Sequence, residues 1–275
     1  AKRKTEVGQS FRQAVYLTFF LAALGMGILL SPGLALRYAQ VPTELQSDAR
    51  QYLQILAFSL WPALFFRLFS TLNQALHHPR LVTVVQLGSL LLKIPLSIWL
   101  TWGGLGIPAL GASGSALATW TVNFVMMGMA LVLLNRHDLY QPYAIWQKLE
   151  APNWTVLKAL LKQGLPSGLS IFVEVTSFTL MALFISRLGT TATASHQIAA
   201  NLGALLYMLP LSISIATSAR TGHWLGAQSP DQVRRAVITG LCLTLGLSWT
   251  CSGLLWWGRC LLYTSPSPRD GLLSR

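Results

Sequence analysis

The stretch "GLSIFVEVTSFTLMALFI", residues 168–185, decides how this chain folds. Every residue but one is uncharged, and the exception, Glu174, stands near the middle. As a helix, the stretch reaches roughly 27 Å at about 1.5 Å per residue, close to the ~30 Å hydrocarbon core of a bilayer. A helix on the surface of a soluble domain of this length needs a charged face, and this one has none.

The rest of the chain repeats the pattern. Of 275 residues, 53% are hydrophobic and only 10% charged, too few charges to clothe a soluble domain of this size. Mean hydropathy is +0.51. Seven apolar runs are long enough to cross a membrane as helices, at approximately 13–31, 51–76, 81–103, 113–135, 163–187, 192–218 and 236–258. They are too long and too uniformly apolar for the strands of a barrel. The fold class expected is an all-α polytopic membrane protein.

The net charge of +12 invites a nucleic-acid reading, but the placement of the charges argues against it. With the N-terminal segment cytoplasmic, Lys2, Arg3, Lys4, Arg12, Arg80, Arg136, Lys148, Lys158, Lys162, Arg220, Arg234 and Arg235 all fall on the inner side. The outer side receives Arg37, Arg50, Arg187 and Arg259. This is the asymmetry of the positive-inside rule, and it sets an orientation. The expected partner is membrane lipid, with no nucleic acid. Cys242, Cys251 and Cys260 show neither metal-ligand spacing nor a disulfide framework.

The longest polar interval, 136–162, is "RHDLYQPYAIWQKLEAPNWTVLKALLK". Its prolines and charges read as a cytoplasmic linker, with a surface-lying helix near 153–162. It separates a front bundle of four spans, 1–135, from a rear bundle of three, 163–259. An internal repeat supports this division: "SFRQAVYLTFFLAALG" at 10–25 is similar to "QVRRAVITGLCLTLGL" at 232–247. Parallel repeats of this kind are common in secondary transporters, where substrate sites lie between the halves. The last residues, 260–275, lose the membrane character abruptly and read as a non-native or disordered tail.

Glu174 is the only acid within a span. An ionised group at bilayer depth costs about 3 kcal/mol on insertion scales, so it must face protein or water rather than lipid. Ser170 and Ser177 lie four residues before and three after it, on the same helical face. Two readings follow: a carboxylate bonded to neighbouring serines as packing glue, or a site for a coupling cation or a substrate.

In the next span Gln197 and Asn201, four residues apart, form a second polar stripe, with Tyr207 further along and Pro210 placed to kink the helix. His196 points to a different side from Gln197 and reads as a structural histidine. Arg67 and Lys93 also lie within spans; snorkelling and helix-end packing are the expected account of both. The glycine-rich "GGLGIPALGASGSALA" at 103–118 lacks the Lys-Ser/Thr ending of a phosphate loop and reads as a tight extracytoplasmic loop leading into a close-packing helix. With no nucleotide motif, metalloprotease motif or nucleophile triad, the chain does not read as an enzyme. Any work it does would draw on an ion gradient, with no cofactor beyond a sodium ion or proton as coupling ion.

Three stretches carry a resemblance: "KIPLSIWLTWGGLGIPALGASGSALATW", "GLPSGLSIFVEVTSFTLMAL" and "ASHQIAANLGALLYMLPLSISIATSARTGHWLGA". They resemble the multidrug and toxic compound extrusion (MATE) family, nearest to its NorM-like bacterial branch. The resemblance covers about residues 1–258 and is most specific from 164 to 227. It implies a twelve-helix fold in two six-helix lobes, of which these seven spans would be the third to ninth. It implies a monomer in the bacterial cytoplasmic (inner) membrane that exports cationic, lipophilic drugs in exchange for sodium ions or protons. Glu174 would then be the seventh-helix carboxylate that binds the coupling cation, a possible sodium ligand. Ser170, Ser177, Gln197, Asn201 and Tyr207 are the candidate cavity-lining residues, Tyr207 attracting cationic drugs through its ring face. The family's first two and last three helices, and the acids on its first and tenth, have no counterpart here, so the chain reads as a fragment inactive by itself.

Two alternatives stand beside this reading. A lipid-linked sugar flippase of related architecture would line its cavity with basic groups for pyrophosphate, whereas the rear bundle offers a carboxylate, amides and an aromatic. An inert membrane fragment is the other.

Overall fold

The computed structural model describes residues 2–31, 33, 43–76, 78–104, 108–143, 145 and 150–263. Seven long helices account for most of them: α1 Lys2–Leu30, α2 Thr43–Ala75, α3 Pro79–Trp102, α4 Gly111–Arg136, α5 Trp154–Ser186, α6 Thr190–Gly226 and α7 Pro230–Tyr263. A short 3-10 helix, Asp138–Tyr143, follows α4. Each of the seven contains a window long and apolar enough to cross a membrane, and the chain is a multi-pass membrane protein.

The helices overrun the apolar runs that announce them. A polar residue at a helix end costs little where the helix leaves the hydrocarbon, so hydropathy marks the membrane-embedded part and not the whole helix. The clearest case is 153–162. Expected as a separate surface-lying helix, Trp154–Lys162 forms the first turns of α5, which continues unbroken through Pro166 to Ser186. The expected tail overlaps the end of α7, which runs on to Tyr263; residues 264–275 lie outside the described residues.

The chain divides into two compact units, Ala1–Leu169 and Ser170–Arg275, with the division falling inside α5. In the first unit α2 packs against α1 and α4, and α3 packs against α4. Its core gathers at one end. Phe11 of α1, Phe65, Phe66, Phe69 and Leu72 of α2, Val82 and Val85 of α3, and Ala130 and Leu134 of α4 form a single buried cluster with Tyr140 and Ile145. The beginnings of α1 and α3 therefore meet the ends of α2 and α4, as antiparallel neighbours must. The segment after α4 folds back to close that end. Tyr140 is 2% exposed, and its hydroxyl donates to Asn73 Oδ1 at 2.7 Å. Asn73 is itself fully buried and donates through Nδ2 to the Phe69 carbonyl at 2.9 Å.

The glycine-rich run does its packing at Gly114, where a Cβ would overlap the Leu100 carbonyl of α3. Ala116 and Ala118 beyond it are fully buried. Small residues let helix backbones approach in this way when lipid supplies no hydrophobic drive. At the turn before α4, Gly103, Gly104 and Gly111 have positive φ, and Trp99 Nε1 donates to the Gly104 carbonyl at 3.0 Å. In the second unit α6 packs against α7, with Gly240 set against Thr217.

Candidate ion and substrate site

Glu174 lies on α5 twenty residues after Trp154 and twelve before Ser186. It is partly buried, while Val173 and Val175 on either side are 56% and 58% exposed. At ~1.5 Å per residue the carboxylate sits about 18 Å from the Ser186 end, well inside the span. It is not answered by the serines on its own face. Ser177 Oγ donates to the Val173 carbonyl at 2.7 Å, so its hydrogen is committed to its own helix. Ser170 is exposed. The electrostatic partner of Glu174 comes from α6: the hydroxyl of Tyr207, a side chain 48% exposed, lies near enough to interact with the Glu174 carboxylate.

This contact joins two of the residues singled out from the sequence, both in the second unit. It leaves two others aside. Gln197 and Asn201 are exposed. Successive residues advance by about 100° around a helix, so Tyr207 stands roughly 80° round from Gln197 and 120° from Asn201, and about 15 and 9 Å further along. The amide stripe and the tyrosine therefore look in different directions.

The face that carries Tyr207 begins instead at His196. His196, Ala200, Gly203 and Tyr207 follow one another at the i, i+4, i+7, i+11 spacing of one helix face. Between the two polar side chains lie a methyl group and a hydrogen, and a Cβ at Gly203 would have no atom within 4 Å. His196 is partly buried. The side of α6 that carries His196 is the one that carries Tyr207. Pro210 lies three residues beyond Tyr207, and α6 runs through it to Gly226.

Chemically, the pair is a carboxylate at membrane depth with one hydroxyl donor and one aromatic ring beside it. The carboxylate has acceptor capacity to spare for a ligand. A proton, a metal cation or an organic cation can each neutralise it, and the ring offers a cationic ligand a second attraction.

Comparison with known proteins follows the same lines. The MatE family matches residues 1–99 and 166–266, a stretch on either side of the linker. The chain is 40% identical over 259 residues to "Probable multidrug resistance protein NorM" of Aromatoleum aromaticum, covering 94% of this chain and 56% of that protein. It is 33% identical over 247 residues to "Multidrug resistance protein MdtK" of Yersinia enterocolitica, covering 90% and 54%. The chain thus spans just over half the length of the curated relatives it matches. Among solved structures, the fold superposes on the eukaryotic MATE transporter AtDTX14 with a TM-score of 0.81 at 18% identity, covering 96% of this chain and 59% of that one. It superposes on the MATE transporter NorM-NG, solved in complex with a monobody, with a TM-score of 0.71 at 25% identity, covering 97% and 57%. With seven helices among the described residues long and apolar enough to cross a membrane, the same fold and family matches on both sides of the linker, this chain belongs to the MatE family of transporters.

Proposed function

We propose that this chain is the central part of a secondary active antiporter of the bacterial cytoplasmic membrane. The antiporter exports cationic, lipophilic compounds in exchange for sodium ions or protons, and these residues are inactive without the rest of it. The observation that carries the proposal is the Glu174–Tyr207 pair, a carboxylate at a depth where lipid does not tolerate a charge, with a phenol from a second helix beside it. The relatives named for multidrug resistance support export of drugs.

The mechanism rests on competition for one negative charge. With the site free, the Glu174 carboxylate interacts with the Tyr207 hydroxyl. A coupling cation or a proton neutralises the carboxylate and weakens that interaction. A cationic substrate does the same while stacking on the freed ring. Each ligand can bias a conformational equilibrium only through its differential affinity for the two states, so exchange requires the coupling ion and the substrate to favour different ones. Replacing Glu174 by Gln in the complete transporter and following efflux of a fluorescent cationic dye tests the assignment.

A further inference from the structure

The turn that joins α6 to α7 carries a pair of arginines that the Glu174 site does not use. Their relative placement follows from one contact. A Cβ added at Gly240 of α7 would overlap the Thr217 side chain of α6, so these two positions face each other across the hairpin. Measured from their level toward the turn, Arg220 lies about 4.5 Å away and Arg235 about 7.5 Å, at ~1.5 Å per residue. The two side chains therefore leave their helices within about 3 Å of the same depth.

They also leave on the same side. Each residue turns a helix by about 100°, which sets Arg220 roughly 60° round α6 from the line of contact and Arg235 roughly 140° round α7. The helices are antiparallel, so viewed from the turn these two rotations have opposite sense and converge on one face of the hairpin. Arg234, by the same count, falls on the opposite face. Arg220 and Arg235 are both exposed, and neither has a hydrogen-bond or ionic partner among the described residues.

Their depth is set by the sequence. Residues 197–219 of α6 and 236–258 of α7 carry no Asp, Glu, Lys or Arg, so these two arginines are the first such charges met on leaving each span toward the turn. Hydrocarbon gives way to lipid headgroups at that boundary. Trp224, one turn beyond Arg220, is of the residue type that settles at this level. In the other direction the face turns small and apolar. Leu209 and Ala216, eleven and four residues before Arg220, share its side of α6. Cys242 and Gly246, seven and eleven after Arg235, share its side of α7. All four are exposed, and a Cβ at Gly246 would meet no atom within 4 Å.

We infer that Arg220 and Arg235 bind the phosphate of one anionic phospholipid, whose acyl chain lies along the lane between Leu209 and Cys242. Two guanidinium forks suit phosphate oxygens, which they can meet bidentately. Charge complementarity selects the lipid. A zwitterionic headgroup would bring its own cation to two arginines, and an anionic one does not. A free phosphate would leave the apolar lane empty.

The full 275-residue chain in detergent is titrated with phosphatidylglycerol, or with phosphatidylcholine of the same acyl chains, and retained lipid is counted by native mass spectrometry. Phosphatidylglycerol is expected to bind about tenfold more tightly, each arginine contributing roughly the attraction of one basic group at a membrane surface. Arg220→Gln and Arg235→Gln should each weaken its binding about fivefold. Arg234→Gln removes the same charge from the other face and should change binding by less than about twofold. Three results overturn the inference. Equal retention of the two lipids would show that no headgroup is selected. An equal loss in Arg234→Gln would show a diffuse surface charge in place of a site. A preference present in this chain but absent from the complete transporter would show that further chain covers the face.

Discussion

Arg12 and Glu150, 138 residues apart in sequence, form a salt bridge at 2.7 Å that pins the end of the linker to α1. The bridge has company. Gln9 Nε2 donates to the second Glu150 oxygen at 3.0 Å, and the Tyr16 hydroxyl donates to the Glu150 carbonyl at 3.1 Å. Gln13 donates to the Ala151 carbonyl and accepts from the Asn153 amide. Gln9, Gln13 and Tyr16 lie on one face of α1 with Arg12 beside them, so the linker meets a prepared surface. The segment just before α5 is therefore held by the first unit.

Removal of Glu150 should release it. The Arg12 side chain is 6% exposed and that of Glu150 46%, so Glu150→Ala removes a carboxylate from a largely buried guanidinium. The expected cost is about 2 kcal/mol in denaturant unfolding of the detergent-solubilised chain. Amide exchange at 150–153 should rise, with Glu150→Gln falling between the two. An unchanged unfolding midpoint and unchanged exchange would show that the bridge is a surface pair of no consequence.

Tyr140 gives the same end of the bundle a pH dependence. Burial pushes its phenol above the ordinary value of 10.0, because the ionised form is the costlier one to bury. A phenol whose folded pKa is raised holds its proton longer in the folded state. Its contribution is therefore complete below the unfolded pKa and is lost as pH climbs from there through the folded value. Stability of the chain should fall as pH rises above about 10. Tyr140→Phe should flatten that fall while lowering stability near neutrality by about 1 kcal/mol, since Asn73 Oδ1 is left buried without its donor. Parallel unfolding curves for the two proteins across this alkaline range would refute the assignment.

Much of this architecture is legible in the sequence because membrane helices are written in composition. A run of about twenty apolar residues has few other uses, and Glu174 stands out because charge is scarce around it. Side-chain partners are less legible. Ser170 and Ser177 share a helix face with Glu174, and local spacing makes them natural partners. The carboxylate is met instead by Tyr207, thirty-three residues away on another helix, a pairing that no local periodicity encodes. Gln197 and Asn201 mislead for a related reason. A polar stripe shows that a face is polar, but which face meets α5 depends on the rotation of α6, set by packing. The linker hides its order in the same way, since Gln9, Arg12 and Gln13 are unremarkable until Glu150 and Asn153 arrive.

Orientation follows from the charge asymmetry and is open to direct labelling. Ala109, exposed in the turn before α4, and Trp154, 79% exposed at the start of α5, are suitable reporter positions. In a background lacking Cys242, Cys251 and Cys260, an impermeant thiol reagent applied to intact cells should modify Ala109→Cys and spare Trp154→Cys. Ser113 is a poor reporter, because it is 6% exposed and hydrogen-bonded to Gln51. Labelling of position 154 with protection of 109 would invert the topology.

The most direct measurement is ion-driven efflux by the complete transporter with Glu174 replaced by Gln. Gln keeps the size of the side chain and an acceptor oxygen for the Tyr207 hydroxyl, and removes only the titratable charge. If competition for that charge drives exchange, the variant reaches the membrane at the normal level. Its export of a fluorescent cationic dye then falls to the rate of cells without the transporter. Tyr207→Phe should weaken export without abolishing it, since the ring remains. Export at the parental rate by the Glu174→Gln protein, present in normal amount, would show that the carboxylate serves packing alone and would contradict the mechanism.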